Sequence, residues 1–356
     1  MTAIEINAPG RVCLFGDHQD YLGLPIIACA IDLHINLQAT LNKSNILRIH
    51  FLDLKEKRSL ELPYDFSNYD SNDTFIAALK VLKDYRCNPK QGYDIQIKGS
   101  IPINAGLSSS SALLVAWVSF LIKAFGVDKP ITLQLIAQIA YEAEVVERQS
   151  PGGKMDQFSI SLGNIIYLET GDKTNHKTIG ASLEGLVIGE SGVPKDTLGL
   201  LADRRNLAVE GIQLLKESVP NFNLANVGKA DYKSLAGKLP KKHQPYFIAA
   251  VENHMITKHA HLEFQKNPKN LNLIGQLMTA HHTILKDSLR ISVPRIDAMI
   301  DAVMANGALG AKIVGSGGGG CIVAIAPDNQ EKVIKALKKA GAVNAYKVNV
   351  AQGITL

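Results

Sequence analysis

Several things are scarce in this sequence, and each absence removes a class of function. No apolar run reaches the roughly 20 residues that a membrane-spanning helix needs. The start, Met1-Thr-Ala-Ile-Glu-Ile6, has no basic region leading into an apolar core, so no signal peptide is expected. Only four cysteines occur in 356 residues (Cys13, Cys29, Cys87 and Cys321), and none has metal-ligand spacing. They lie in or beside apolar runs, which fits reduced thiols and a cytoplasmic location. There is no Lys/Arg block, and a net charge of +5 is too mild to point to nucleic acid. No Walker A lysine motif, internal repeat or disordered tail is present, and nothing signals an obligatory protein partner. What remains is 46% hydrophobic and 20% charged, the composition of a globular chain long enough for two domains.

What the chain does have is four serines in a row. Gly106-Leu-Ser-Ser-Ser-Ser-Ala112 follows a predicted strand at 93–98 and opens a nearly all-apolar helix at 112–125. A helix N-terminus carries unpaired N–H groups and a partial positive charge, so it is a ready anion site. One serine suffices as a cap; four exceed that need and point to bound phosphate. A second segment, Gly16-Asp-His-Gln-Asp-Tyr-Leu-Gly23, joins apolar strands within residues 4–41. A solvated turn would account for its aspartates. Arg11, however, opens an apolar strand beside Pro9-Gly10, where a charge needs a partner. The third segment, Gly315 to Gly320, formally fits the dinucleotide fingerprint of a dehydrogenase. That reading fails, because an apolar strand at 321–325 follows where the fingerprint requires a helix. A strand–loop–strand turn fits better, its glycines letting the backbone approach something closely.

Between these segments the pattern predicts a strand pair (47–51, 58–62), a helix at 74–85, and one continuous helix at 132–148 ending at Ser150-Pro-Gly-Gly-Lys154. Asp156 follows that breaker, within reach of a helix bearing Glu142, Glu144 and Glu147. A carboxylate pair near a phosphate loop is what a metal and a proton acceptor require. The polar stretch 171–182 suggests a domain boundary. Beyond it, helices are expected near 198–217, 244–265, 270–288 and 293–306, then a helix at 331–340 and a last strand at 344–350. The histidines on these helices show no metal spacing and read as surface or core residues.

Three stretches in this order resemble the motifs of the GHMP kinase superfamily, named for galactokinase, homoserine kinase, mevalonate kinase and phosphomevalonate kinase. They are Ala8-Pro-Gly-Arg-Val-Cys-Leu-Phe-Gly-Asp-His-Gln-Asp-Tyr21, Ile101-Pro-Ile-Asn-Ala-Gly-Leu-Ser-Ser-Ser110 and Gly310-Ala-Lys-Ile-Val-Gly-Ser-Gly-Gly-Gly-Gly-Cys321. The first is similar to the galactokinase signature, and the stretches 154–158 and 285–292 add to the likeness, which covers nearly the whole chain. The resemblance implies an α+β fold of two domains. Residues 1–182 would be like ribosomal protein S5 and residues 183–356 ferredoxin-like, with ATP and a sugar meeting between them.

The implied reaction is transfer of the γ-phosphoryl group of ATP, with Mg²⁺, to the anomeric hydroxyl of a sugar. By position, Asp156 would take the hydroxyl proton, and Arg11 would hold it ionised and offset charge developing on the phosphoryl group. Asp17, His18, Asp20 and Gly153 would join Asp156 in contacting the sugar. Asn104, Ala105, Gly106, Leu107, Ser108, Ser109, Ser110 and Ser111 would cradle the phosphates, and Ser110 with Glu144 would hold Mg²⁺. Gly315, Ser316, Gly317, Gly318 and Gly319 would lie near the substrate.

Some positions depart from the pattern. Asp17 stands where galactokinases usually carry glutamate, and the tyrosine expected before Arg204-Arg205 is replaced by Leu201-Ala-Asp203. Lys154 offers a partner for the carboxylate of a uronic acid. A kinase for a related sugar or uronic acid therefore stays open beside galactokinase. A mevalonate kinase is the next alternative, disfavoured by the Asp17–Asp20 cluster, since mevalonate has one carboxylate and few hydroxyls. A non-catalytic sugar sensor is disfavoured by the presence of Asp156, Arg11, Glu144 and Ser110.

Overall fold

Apolar residues alternate along the first two strands, and they form a long antiparallel hairpin: β1 (Ile4–Phe15) with β2 (Ile26–Leu41). The computed structural model describes residues 3–195 and 197–355, with backbone alone at 197 and 198. Met1, Thr2, Asp196 and Leu356, and so the outer ends of both expected domains, lie outside the described residues. The β1–β2 register slips between Pro9 and Gly10, where proline has no N–H to give the ladder. Just past this bulge the Arg11 N–H donates to the Leu107 carbonyl, 3.2 Å away.

The chain continues through β3 (Ile46–Phe51), β4 (Glu56–Glu61), α1 (Thr74–Asp84), β5 (Tyr93–Gly99), α2 (Ser109–Phe125), α3 (Leu133–Tyr141), α4 (Met155–Leu162), β6 (Ile165–Glu169) and β7 (Asn175–Gly180). The sheet runs β4-β3-β5-β2-β6-β7, with β1 paired to β2 and only β3–β5 parallel. Helices α2 and α4 pack on β1 and β2, and α3 packs on both. Helix α2 is apolar on nearly all sides because it is buried on nearly all sides; Trp117 and Phe120 are inaccessible.

The polar stretch 171–182, expected as a boundary, contains β7, an edge strand of the first sheet. An edge strand with a solvated side tolerates Asn175-His-Lys-Thr, so the apolar alternation that would reveal it is absent. The helix predicted at 132–148 is not continuous. It leaves α-geometry at Tyr141 and passes through a π turn, Glu142–Val146.

The second half comprises β8 (Leu186–Glu190), α5 (Ala202–Ser218), α6 (Tyr232–Gly237), α7 (Gln244–Phe264), α8 (Leu271–Asp287), α9 (Pro294–Ala305), β9 (Gly310–Ile313), β10 (Cys321–Ile325), α10 (Gln330–Lys339) and β11 (Asn344–Lys347). Its antiparallel sheet has the order β11-β8-β10-β9, with α9 and α10 packed against it, which is the ferredoxin-like arrangement. The last strand ends at Lys347 rather than 350, because the tail leaves this sheet for the first one. Asn349 accepts from the Asp32 N–H, Ala351 exchanges bonds with Ala30 and Asn164, and Thr355 bridges Asn7.

The loop between β9 and β10 presses against the phosphate loop with no room between the backbones. Gly106 has φ +87°, and a Cβ there would lie 2.7 Å from the Val314 carbonyl oxygen. Gly106→Ala is therefore expected to lower stability by about 1–3 kcal/mol. The test is urea unfolding: a lower midpoint at unchanged slope is expected, and an unchanged midpoint would show that the two loops part freely.

Candidate active site

Arg11 finds its partner in Asp156. Helix α4 begins just after Pro151-Gly-Gly, which places Asp156 in its first turn. Arg11 Nε and Nη2 both reach Asp156 Oδ1, at 2.8 and 2.7 Å, and Nη1 donates to the Gly106 carbonyl. The Ser108 hydroxyl donates to Asp156 Oδ2 at 2.6 Å. Burial alone would push the Asp156 carboxyl up. The Arg11 charge and the Ser108 hydrogen bond outweigh it and hold the group below the ordinary aspartate value. Asp156 is thus an ionised carboxylate at neutral pH.

The turn after β1 divides its aspartates between two jobs. Asp17 does not face the site. It is 1% exposed, its Oδ2 lies 2.6 Å from Lys312 Nζ on β9, and its Oδ1 accepts from the Gly315 N–H at 3.1 Å. The short side chain, expected to contact a sugar, is here engaged in a buried ion pair. His18 also serves the framework. Burial lowers its pKa to about 4, so the ring is neutral. Nε2 donates to the Ser316 carbonyl (3.1 Å), which leaves Nδ1 to accept from the Tyr21 hydroxyl (3.1 Å). Asp20 is the residue that reaches the site. Its carboxylate accepts from the N–H groups of Tyr21 (3.0 Å) and Met155 (3.2 Å). It lies against Gly153, where any side chain would collide with it. Burial, and then the charge of Asp156, raise its pKa to about 6.

Lys154 is not available to a sugar carboxylate in this arrangement. Its ammonium donates to the Gly171 carbonyl (3.1 Å) and the Thr174 hydroxyl (2.8 Å).

At the phosphate loop, Asn104, Gly106 and Ser108 all have positive φ. Ser108 occupies the N-cap of α2 but gives no side-chain cap, since its hydroxyl is committed to Asp156. The first-turn N–H groups of this 17-residue helix are thereby left for an anion. Leu107 is fully buried, backbone included, and its carbonyl accepts from the Arg11 N–H, so it offers a ligand nothing here. The Ser111 hydroxyl donates to Glu144 (2.9 Å), whose other oxygen accepts from Gln157 (2.7 Å). Ser110 is exposed beside it. The π turn carries Glu144 to this position. It is fixed from outside by Tyr85 and Gln138, which bond Glu142, and by Lys80 and Tyr69, which bond Glu147. Burial and the nearby Asp156 raise the Glu144 pKa.

A cavity of about 260 Å³ opens beside these serines, its lining including Phe51, Leu54, Ile97, Ile103, Asp53 and Lys195. The sequence reading missed all six. Leu54 and Ile103 are large apolar residues left exposed, a property no single sequence displays. Lys195 is a lone lysine in a loop, without any motif.

The glycine loop is a junction of backbones. Gly318 N–H donates to the Ile291 carbonyl and Gly320 N–H to the Val193 carbonyl, each at 2.8 Å. A Cβ on Gly320 (φ +80°) would sit 2.8 Å from the Ala105 carbonyl oxygen.

An uncapped helix N-terminus whose cap serine bonds a buried Arg–Asp pair, with further carboxylates close by, fits a phosphate-handling transferase. The sequence profiles agree. The GHMP kinases N terminal domain matches residues 73–164, GHMP kinases C terminal matches 260–343, and the galactokinase galactose-binding signature matches 3–40. The chain belongs to the GHMP kinase family, whose members are phosphotransferases with an alcohol acceptor. A mevalonate kinase of Thermococcus sibiricus (strain DSM 12597 / MM 739) is 28% identical over 349 residues, covering 95% of this chain and 93% of its own. A galactokinase of Haemophilus influenzae (strain PittEE) is 29% identical over 365 residues, covering 97% and 90%. The structure of Lactococcus lactis galactokinase complexed with galactose shares the fold, with a TM-score of 0.89, 22% identity, and 99% and 95% coverage.

Two predictions follow from the paired acids. Removing one partner of a buried pair strands the other's charge, so Lys312→Met should cost roughly 3–5 kcal/mol. Adding Asp17→Asn to it should recover part of that loss in a double-mutant cycle, and strictly additive effects would argue against the pair. For Asp20, the folded pKa of about 6 lies above the ordinary value near 3.9. The folded state therefore binds that proton more tightly. The associated stability is present below about pH 4 and lost as pH rises through 6. Ligand-free Asp20→Asn should melt about 1–3 °C above the parent at pH 8, with the gap closing toward pH 4. A pH-independent gap would rule out a strained Asp20 carboxylate.

Proposed function

We propose that this kinase transfers the γ-phosphoryl group of ATP to the anomeric hydroxyl of a galactose-like sugar. The observation that carries the reading is the Arg11–Asp156 pair, set beside Asp20 on one side and the N-terminus of α2 on the other. The sugar hydroxyl donates its proton to Asp156, which Arg11 keeps ionised. Asp20 accepts from a neighbouring sugar hydroxyl. The adenine ring enters the apolar side of the cavity, between Phe51, Leu54 and Ile103, and the phosphates follow along Ser109 and Ser110 to the helix end.

The donor set fits a hard cation. Burial, and after it the charge of Asp156, raises the Glu144 pKa, and a bound cation would favour its ionised form. Glu144 and the exposed Ser110 hydroxyl would hold Mg²⁺, which takes few protein oxygens and completes its shell with phosphate and water. When bound, it supplies neutralisation of phosphate charge. A cytoplasmic location fits the four buried, unpaired thiols. Among the described residues no helix is long and apolar enough to cross a membrane.

Mevalonate kinase is the second reading, because relatives of that name match about as well as galactokinases do. The withdrawal of Asp17 into the Lys312 pair gives it weight, since the site offers fewer acceptors to a polyhydroxylated ligand than its motif suggests.

The test is ADP release with Mg-ATP against galactose, its uronic acid and amino-sugar relatives, arabinose, glucose and mevalonate. Galactose turnover is expected, with kcat of Asp156→Asn lower by at least about 10³-fold. Turnover of mevalonate alone would replace the sugar reading. Turnover of no acceptor, with a sugar bound, would replace the enzyme by a sensor.

A further inference from the structure

Arg11 spends three of its five N–H groups inside the protein, most of them on Asp156. Its Nε and Nη2 are engaged with Asp156 and its Nη1 with the Gly106 carbonyl. The group in flight carries negative charge on its non-bridging oxygens, and a kinase site needs a cation that is free to meet it.

Lys195 fills that need. It sits on the loop leaving β8, and the glycine loop holds this backbone in place. The Ser191 N–H and hydroxyl both donate to the Gly320 carbonyl, at 2.9 and 2.7 Å. The Val193 N–H donates to Ser191 Oγ at 3.1 Å, and the Val193 carbonyl accepts from the Gly320 N–H. From this anchored loop Lys195 reaches the cavity whose floor is Gly106, Ser108, Ser109 and Ser110. Among the described residues it makes no ion pair or side-chain hydrogen bond, so its three N–H donors have no protein partner. A solvated surface lysine would share that freedom, but Lys195 is partly buried and lies within electrostatic range of Asp156, Arg11 and Glu144.

We propose that Lys195 binds the γ-phosphate of ATP and follows it through transfer, as a cation not already committed to the base. The inference rests on the kinase reading above. In the step, the acceptor oxygen bonds to the γ-phosphorus as the bond from that phosphorus to the β,γ-bridging oxygen breaks. The bridging oxygen keeps the electron pair and leaves with ADP, and the acceptor proton passes to Asp156. Lys195 exchanges no proton. Its ammonium offsets charge on the non-bridging oxygens.

Calorimetric titration with Mg²⁺ and either ADP or the non-hydrolysable β,γ-imido analogue of ATP tests this without any acceptor. Lys195→Met should weaken the triphosphate analogue by about tenfold or more and leave ADP within about twofold. Lys195→Arg should keep most of the preference, and melting curves of both variants check that they fold. In turnover, kcat of Lys195→Met should fall roughly 10²–10³-fold with the acceptor KM little changed. Undiminished triphosphate affinity and kcat in Lys195→Met, with an active parent, would overturn the role of Lys195 alone. A parent that binds neither nucleotide would overturn the kinase reading, and this inference with it.

Discussion

Close backbone packing around the glycine loop is the constraint on which the site depends. Residues 315–320 touch the sugar-side turn through Gly315 and Ser316, the stretch ending at Ile291 through Gly318, the loop 191–195 through Gly320, and the phosphate loop through Gly106 and Ala105. At several of these meetings no Cβ fits, and the polar backbone groups are satisfied by other backbones. Segments far apart in the chain are thereby held at fixed spacing. A chemistry that needs its groups placed to a fraction of an ångström requires a rigid junction of this kind.

The same packing puts like charges close together, and that shapes the electrostatics. Asp20, Asp156 and Glu144 share a poorly solvated region with Arg11. Because Arg11 and Ser108 serve Asp156, that carboxyl goes down while its two neighbours go up. Groups pushed apart in this way can take different roles at one pH. The Asp17–Lys312 pair is the structural counterpart. It joins the first domain's turn to β9 of the second, is inaccessible to water, and keeps the turn in register with the glycine loop.

Much of this was legible beforehand. Strands 4–41 and the apolar α2 announce themselves by periodicity, and the three motif stretches point to the family and to Arg11 and Asp156. The failures have identifiable causes. Strand β7 was hidden because an edge strand need not be apolar. The π turn at Glu142–Val146 leaves no mark on side-chain pattern, since one inserted residue changes direction without changing composition. The partners of Asp17 and Lys154 could not be read beforehand, because Lys312 and the 171–174 segment are remote in the chain.

By itself the sequence determined which local elements form, that helix α2 is buried with its N-terminus open to an anion, and that Arg11 needs a carboxylate. These follow from propensity, patterning and the cost of an unpaired charge, all of which act over a few residues. Only the tertiary structure decided which carboxylate Arg11 meets, that Asp17 is buried against Lys312 while Asp20 lies against Gly153 and Met155, and that Lys195 lines the cavity beside the serines. Those outcomes depend on which distant backbones can approach one another, and that is set by the packing of two sheets and the glycine junction between them.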